Sequence, residues 1–164
     1  MYNTNRLQIS PLSHRDNSFI IELVNTPGWL KYIGNRDIYT AIDAQMYIQN
    51  ILDNPQCQYW VINRKDDGKP IGLISLIKRD YLDHHDIGFA FIPTCIGLGY
   101  AYEATSYIIK KTLKDERYKT LYAIALPDNK SSIKLLNRLG FTFIETIKSP
   151  EEVLSLFKIQ HFNY

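Results

Sequence analysis

Ile92-Pro93-Thr94-Cys95-Ile96-Gly97-Leu98-Gly99-Tyr100-Ala101-Tyr102-Glu103-Ala104 joins an apolar extended run to a helical pattern through two closely spaced glycines. Upstream, Asp86 to Ile92 has the composition of a strand, and Pro93, which cannot donate to a strand ladder, starts the turn. Downstream, apolar or small residues recur at positions 101, 104, 105, 108, 109, 112 and 113, the stripe of a helix buried on one side. Glycines just before a helix let the backbone pass close to a ligand, and the helix's first unpaired N–H groups then point at it with the positive end of the dipole. The ligand such a seat suits best is a pyrophosphate.

Two common pyrophosphate ligands fit this loop badly. A dinucleotide fingerprint wants a third glycine where Tyr102 stands, and an acidic residue about 20 positions further on at a strand end. A triphosphate loop wants Gly-Lys-Ser/Thr, and that triplet is absent from the chain. A coenzyme A pyrophosphate remains, beside the plainer reading of a tight strand-to-helix turn.

A second constellation, Asn129-Lys130-Ser131-Ser132-Ile133-Lys134-Leu135-Leu136-Asn137-Arg138-Leu139-Gly140-Phe141, supports the ligand reading. Asp128 or Asn129 can cap a helix there, Ile133, Leu136 and Leu139 give it an apolar side, and Gly140 is the expected stop. Together, Asp86-Ile87-Gly88-Phe89, the Gly97-x-Gly99-Tyr100-Ala101-x-Glu103-Ala104 loop and Asn129-x-x-Ser132 with Leu139-Gly140-Phe141 resemble the GNAT superfamily of acyl-CoA-dependent N-acetyltransferases. The branch resembled most is that of the ribosomal-protein N-terminal acetyltransferases and their small-molecule relatives. Arg6-Leu7, Trp29-Leu30-Lys31-Tyr32-Ile33 and Ala44-Gln45-x-Tyr47-Ile48 extend the likeness into the N-terminal part.

The resemblance implies an α/β (α+β) fold in which a mixed, mostly antiparallel central sheet of about seven strands is flanked by helices. It implies one acetyltransferase domain over residues 1–164, with acetyl-CoA as acyl donor, no metal, and a primary amine as acceptor. Phe91, Ile92, Gly97, Leu98, Gly99, Tyr100, Ala101, Asn129 and Ser132 are then expected at the cofactor. Asn129 would bond the amide-bearing arm, and Ser132 would lie near the sulfur, where it could orient the thiolate or relay a proton. Asp86 falls where relatives carry an acidic residue beside the acceptor groove, which makes it a candidate base or amine anchor. Two departures stand out: Thr94 replaces an Arg or Gln common three residues before the first loop glycine, and Leu136 occupies the position of a frequent tyrosine acid. They leave open a non-catalytic acyl-CoA sensor as the rival to an enzyme.

Acetyl transfer from a thioester needs a neutral amine, a polarised carbonyl and a proton for the departing thiolate. An alkyl ammonium titrates near ~10, so the first requirement is the demanding one. Asp86, Gly88 and Ala90 alternate onto one strand face, and the small residues at 88 and 90 leave room for substrate. His84 and His85 are rival bases, and their adjacency sends them to opposite faces of an extended chain. For the same reason they make a poor metal site with Asp83 and Asp86. Cys95 reads as a small turn residue rather than an acyl-carrying nucleophile.

Bulk properties agree with an ordinary folded protein. Hydrophobic residues make up 45% and charged residues 22% of 164, which excludes disordered and collagen-like classes. No apolar run approaches the ~20 residues that span a bilayer, and Met1 to Ser10 lacks a signal-peptide core, so a cytoplasmic protein is expected. Cys57 and Cys95 are too few for a disulfide framework. The net charge of +2 gives no case for nucleic acid, yet Lys110 to Arg138 holds eight basic against three acidic residues. Lys130, Lys134 or Arg138 could therefore meet the ribose phosphate of coenzyme A. A monomer or a homodimer is compatible with the sequence.

Along the chain, Leu7 to Ile9 alternates as a strand and Ser13 to Asn25 has helical spacing, broken by Pro27-Gly28. Ala41 to Leu52 forms a second helix ended by Asn54-Pro55, and Asp67-Gly68 joins Tyr59–Asn63 and Ile71–Ile77 as a hairpin. Strands follow at Leu121 to Leu126, Phe141 to Ile147 and Val153 to Gln160. Trp29, Tyr32, Tyr39 and Tyr47 gather where an acceptor lid would lie, although core packing is the commoner role for each, and Asp37 and Asp43 are close enough in sequence to attract a cation.

Overall fold

The computed structural model describes residues 1–160. Eight strands form one sheet in the order β1-β2-β3-β4-β5-β6-β8-β7, antiparallel throughout except for the β5–β6 pair. The strands are β1 (Tyr2–Asn3), β2 (Leu7–Pro11), β3 (Cys57–Arg64), β4 (Pro70–Ile77), β5 (Asp86–Phe91), β6 (Thr120–Ala125), β7 (Thr142–Lys148) and β8 (Val153–Gln160). The eighth strand, beyond the seven expected, is the two-residue β1, too short to show any alternation in sequence.

Five α-helices cover the sheet: α1 (Asn17–Val24), α2 (Pro27–Tyr32), α3 (Ala41–Leu52), α4 (Tyr100–Leu113) and α5 (Lys130–Arg138). Pro27 opens α2 instead of leading into a loop. Its missing N–H costs nothing at a first helical position, and the Thr26 hydroxyl caps the turn by accepting from the Trp29 amide. Thr40 and Asp43 close α3 with a reciprocal capping box.

Strand alternation sends the two sides of β5 into different cores. Ile87 lies in the cluster built with Ala104, Ile108 and Ile109 of α4 and Leu121 and Ala123 of β6, and Phe89 and Phe91 pack against it. Ala90 packs on the opposite side against the cluster of α1, α2 and α3, which includes Phe19, Leu23, Trp29 and Ile48, and Ile92, just past the strand, touches both clusters. At about 25 cal/mol per Å² of apolar surface removed from water, these two layers are what hold the helices on the sheet. No helix among the described residues is long and apolar enough to cross a membrane.

Candidate acyl-CoA site

Strands β5 and β6 meet at a single registered pair, Asp86 with Tyr122, where the Tyr122 amide donates to the His85 carbonyl at 2.9 Å. Past that point β5 pairs only with β4 and β6 only with β8. The two parallel strands therefore part toward their C-terminal ends, and the β6-facing backbone edge of β5 from Ile87 to Phe91 is left without a strand partner. A crevice outside the carboxyl ends of parallel strands is where open α/β sheets bind ligands. The chain leaving β5 runs into α4 and the chain leaving β6 runs into α5, so two helix N-termini open at the same end of the crevice.

The loop before α4 is shaped by its glycines. Pro93–Cys95 makes one 3₁₀ turn, then Gly97 and Gly99 both adopt φ of 82°, a left-handed conformation that side-chain-bearing residues rarely take. Gly99 is the N-cap of α4 and offers no side chain to the first helical amides. Gly97, Leu98 and Gly99 are exposed, while Tyr100 and Ala101 are half-buried in the first turn. Phe91 and Ile92 are also half-buried, Phe91 against the α4-side core and Ile92 touching both cores, with their backbone at the parting strands.

The acid of that first turn, Glu103, is turned away from the loop. Its Oε1 accepts from the Thr4 hydroxyl at 2.6 Å and the Arg6 amide at 2.8 Å, and its Oε2 accepts from Arg6 Nε at 2.7 Å. Burial alone would raise the Glu103 carboxyl, but these donors outweigh it and hold it below the ordinary carboxylate value. Sequence reasoning noted Arg6 and Glu103 separately, and their meeting, 97 positions apart, had no local signal.

At α5, the Asn129 side-chain oxygen accepts from the Ser132 amide at 3.2 Å and the Ser131 hydroxyl at 3.1 Å. The cap uses Oδ1, not the two amide hydrogens of the same side chain. Ser132 is half-buried in this first turn. Leu136, where a tyrosine acid would stand, is 1% exposed and packs in the core beneath α5. Arg138 stacks over the Tyr102 ring at 5.0 Å and thereby bridges the two helices.

Asp86 lies at the closed end of the crevice, but not as a groove-facing carboxylate. It is 1% exposed, and its Oδ1 accepts from Arg79 Nε at 2.7 Å. Burial pushes the Asp86 carboxyl up, and the Arg79 guanidinium pulls against it. The burial of Asp86 and its pairing with Arg79 differ from the open, groove-facing carboxylate that the strand alternation led one to expect. The signal missed was Arg79 in the β4–β5 connection, seven residues away. Burial also raises the phenols of Tyr59 and Tyr47 on the same side of the sheet.

The remaining candidates separate cleanly. Trp29 is 6% exposed within the α1–α3 core, so it is no part of a lid. Tyr39 is exposed, with its hydroxyl near Asn35 and Asp37, and Asp43 is spent on capping α3. His84 packs edge-on to Tyr122 and His85 edge-on to Tyr118, each at 5.0 Å. Burial and the Lys78 ammonium lower the His85 pKa. Cys95 is buried in the core and Cys57 partly so, both as thiols. No cluster of metal-ligating side chains occurs among the described residues.

The profile of the acetyltransferase (GNAT) domain matches residues 6–142. This chain belongs to the GNAT acetyltransferases. Among curated relatives, an uncharacterised N-acetyltransferase of Bacillus subtilis, YnaD, is 29% identical over 138 residues, covering 84% of this chain and 79% of that protein. The fold is also that of the ribosomal-protein-S5-alanine acetyltransferase from Vibrio fischeri, with a TM-score of 0.82 at 19% identity over 97% of this chain and 95% of that one. Spermidine N-acetyltransferase from Vibrio cholerae, solved with CoA and spermine, gives 0.79 at 16% identity over 96% of each chain. As a GNAT member the protein is an acyltransferase, and both its family and its mixed, largely antiparallel sheet match what the motifs implied.

Proposed function

We propose that the protein moves an acetyl group from acetyl-CoA directly to a primary amine, on a small molecule or a polypeptide N-terminus, within one domain. The observation that carries this reading is the parting of β5 and β6 after Asp86 and Tyr122, with a doubly glycine-bent helix start beside it. The amides of Gly97 to Ala101 suit the pyrophosphate, because they are directed donors at a helix N-terminus. The open backbone edge of β5 suits the amide-bearing arm of the coenzyme, which can hydrogen-bond along it as a strand would. Asn129 keeps amide hydrogens available for the same arm, and CoA in the structural relative is consistent with this donor.

For the chemistry, the neutral amine attacks the thioester carbon and the carbonyl oxygen takes negative charge. The carbon–sulfur bond then breaks, leaving an amide and a thiolate that must gain a proton. Backbone N–H groups at the parted strands can stabilise the developing oxyanion. Ser132 is our candidate for orienting the thiolate, and the proton that the thiolate gains is the one the nitrogen sheds after the neutral amine has attacked, passed through solvent. Asp86 enters as the group that fixes Arg79 at the closed end rather than as the base.

The deciding experiment is thiol release from acetyl-CoA with a panel of polyamines, amino acids and N-terminal peptides. Turnover on members of that panel supports the proposal. Acetylation confined to internal lysines of folded proteins would overturn the acceptor assignment. CoA binding without turnover on any amine would favour a sensor, the reading that buried Leu136 keeps in play.

A further inference from the structure

We propose that Arg6 is a positioning residue for the pyrophosphate loop, an inference that rests on the acetyl-CoA reading above. Its guanidinium holds three parts of the loop region at once. Nε bonds Glu103 Oε2 at 2.7 Å, Nη1 donates to the Leu98 carbonyl at 3.0 Å, and Cζ lies 4.3 Å from the centre of the Tyr100 ring. Nη2 sits 3.3 Å from where a Cβ on Gly99 would stand. The segment carrying Arg6 is itself tied down, since the Lys65 amide donates to the Arg6 carbonyl at 3.0 Å and the Lys65 ammonium to the Thr4 carbonyl.

The Leu98 contact fixes the direction of a donor. Leu98 C=O and Gly99 N–H belong to one planar trans peptide, so they point opposite ways. Holding the carbonyl against Arg6 keeps the Gly99 amide turned from that side. Without this restraint, a segment with glycines on both sides of Leu98 can flip the peptide and present a carbonyl oxygen to the anion. Ordering the loop before ligand arrives removes that cost from binding.

Arg6 also settles a charge problem. Residues 92–101 contain no Lys or Arg, and the nearest acid, Glu103, would repel a phosphate from the first turn of α4. The Arg6 fork neutralises that carboxylate while bracing the loop. A lysine could supply the charge, but a point ammonium cannot make the three planar contacts together.

CoA binding is measured by calorimetry for the wild type, Arg6→Lys and Arg6→Ala, well below the lowest melting midpoint of the set. Both variants are expected to lose roughly tenfold or more in affinity, the factor that 1.4 kcal/mol represents. In the ligand-free protein, the NMR order parameters of the Leu98 and Gly99 amides should fall in both variants. If Arg6→Ala fails to fold, Arg6→Lys carries the comparison. Wild-type affinity in Arg6→Lys would reduce Arg6 to a bulk charge and overturn the proposal, as would wild-type affinity in a folded Arg6→Ala. A wild-type protein that does not bind CoA at all would instead overturn the functional reading on which this one stands.

Discussion

Asp86 and Arg79 form an ion pair, Oδ1 to Nε at 2.7 Å, at the one point where the parallel strands β5 and β6 touch. The carboxylate is enclosed and the guanidinium reaches solvent with about a third of its side chain. Removing the charge by Asp86→Asn keeps an oxygen for Nε but leaves the guanidinium uncompensated. A full break of a buried pair costs about 3–5 kcal/mol, and Arg79's access to water should reduce this to about 2 kcal/mol. Denaturant unfolding of the variant measures the loss. An unchanged midpoint would mean that the pair contributes nothing to the fold.

Gly97 and Gly99 share a φ of 82° but differ in what surrounds them. Nothing lies within 4 Å of a Cβ placed on Gly97, whereas on Gly99 it meets Arg6 Nη2 at 3.3 Å. Alanine at either site pays the left-handed strain, about 1–2 kcal/mol. Only Gly99→Ala should also displace Arg6, and so it should weaken CoA binding more than Gly97→Ala. Calorimetry on the two folded variants decides the order, and equal affinities would remove Arg6 from the explanation.

The lowered Glu103 carboxyl makes a pH-dependent contribution to stability. Its unfolded value is about 4.5 and its folded value is lower, so on acidification the unfolded chain binds the proton first. The contribution is complete above the unfolded pKa and disappears as pH falls through the folded one. Wild-type protein should therefore melt above Glu103→Gln at pH 7, and the gap should shrink as the pH falls below the unfolded value. A gap that persists at pH 2 would contradict the assignment.

For Asn129, stability and ligand binding can be separated because they use different atoms. Asn129→Ala should cost about 1 kcal/mol by removing the cap on α5. Asn129→Ser should restore most of that stability, since serine caps well, yet leave CoA affinity reduced for want of the amide donors. Full recovery of both by serine would make Asn129 a cap alone.

The glycine-bent start of α4 and the capped start of α5 were legible because their signals are local. Gly97 and Gly99 announce a bent strand-to-helix junction, and Asn129, Leu136 and Gly140 mark the cap, stripe and stop of α5 within a few residues of one another. The surroundings of Asp86 were not, because they depend on contacts between segments. Asp86 alternates with Gly88 and Ala90 as expected, but its burial and its tie to Arg79 follow from how the β4–β5 connection folds back. For Trp29, core packing is the favoured reading beside a place in a lid, and the packing of α2 onto α1 and α3 bears it out.

Because β5 and β6 are joined at one rung, the sheet resembles a seam sewn at one end, and a coenzyme arm laid into the gap would act as the missing thread. Occupancy would then tie the β1–β5 half to the β6–β8 half through hydrogen bonds that the chain cannot make for itself. Ligand that binds only the folded form raises apparent stability with its concentration. The resistance of this protein to unfolding should therefore track the coenzyme level around it, making the acyl donor part of the protein's own architecture as well as its chemistry.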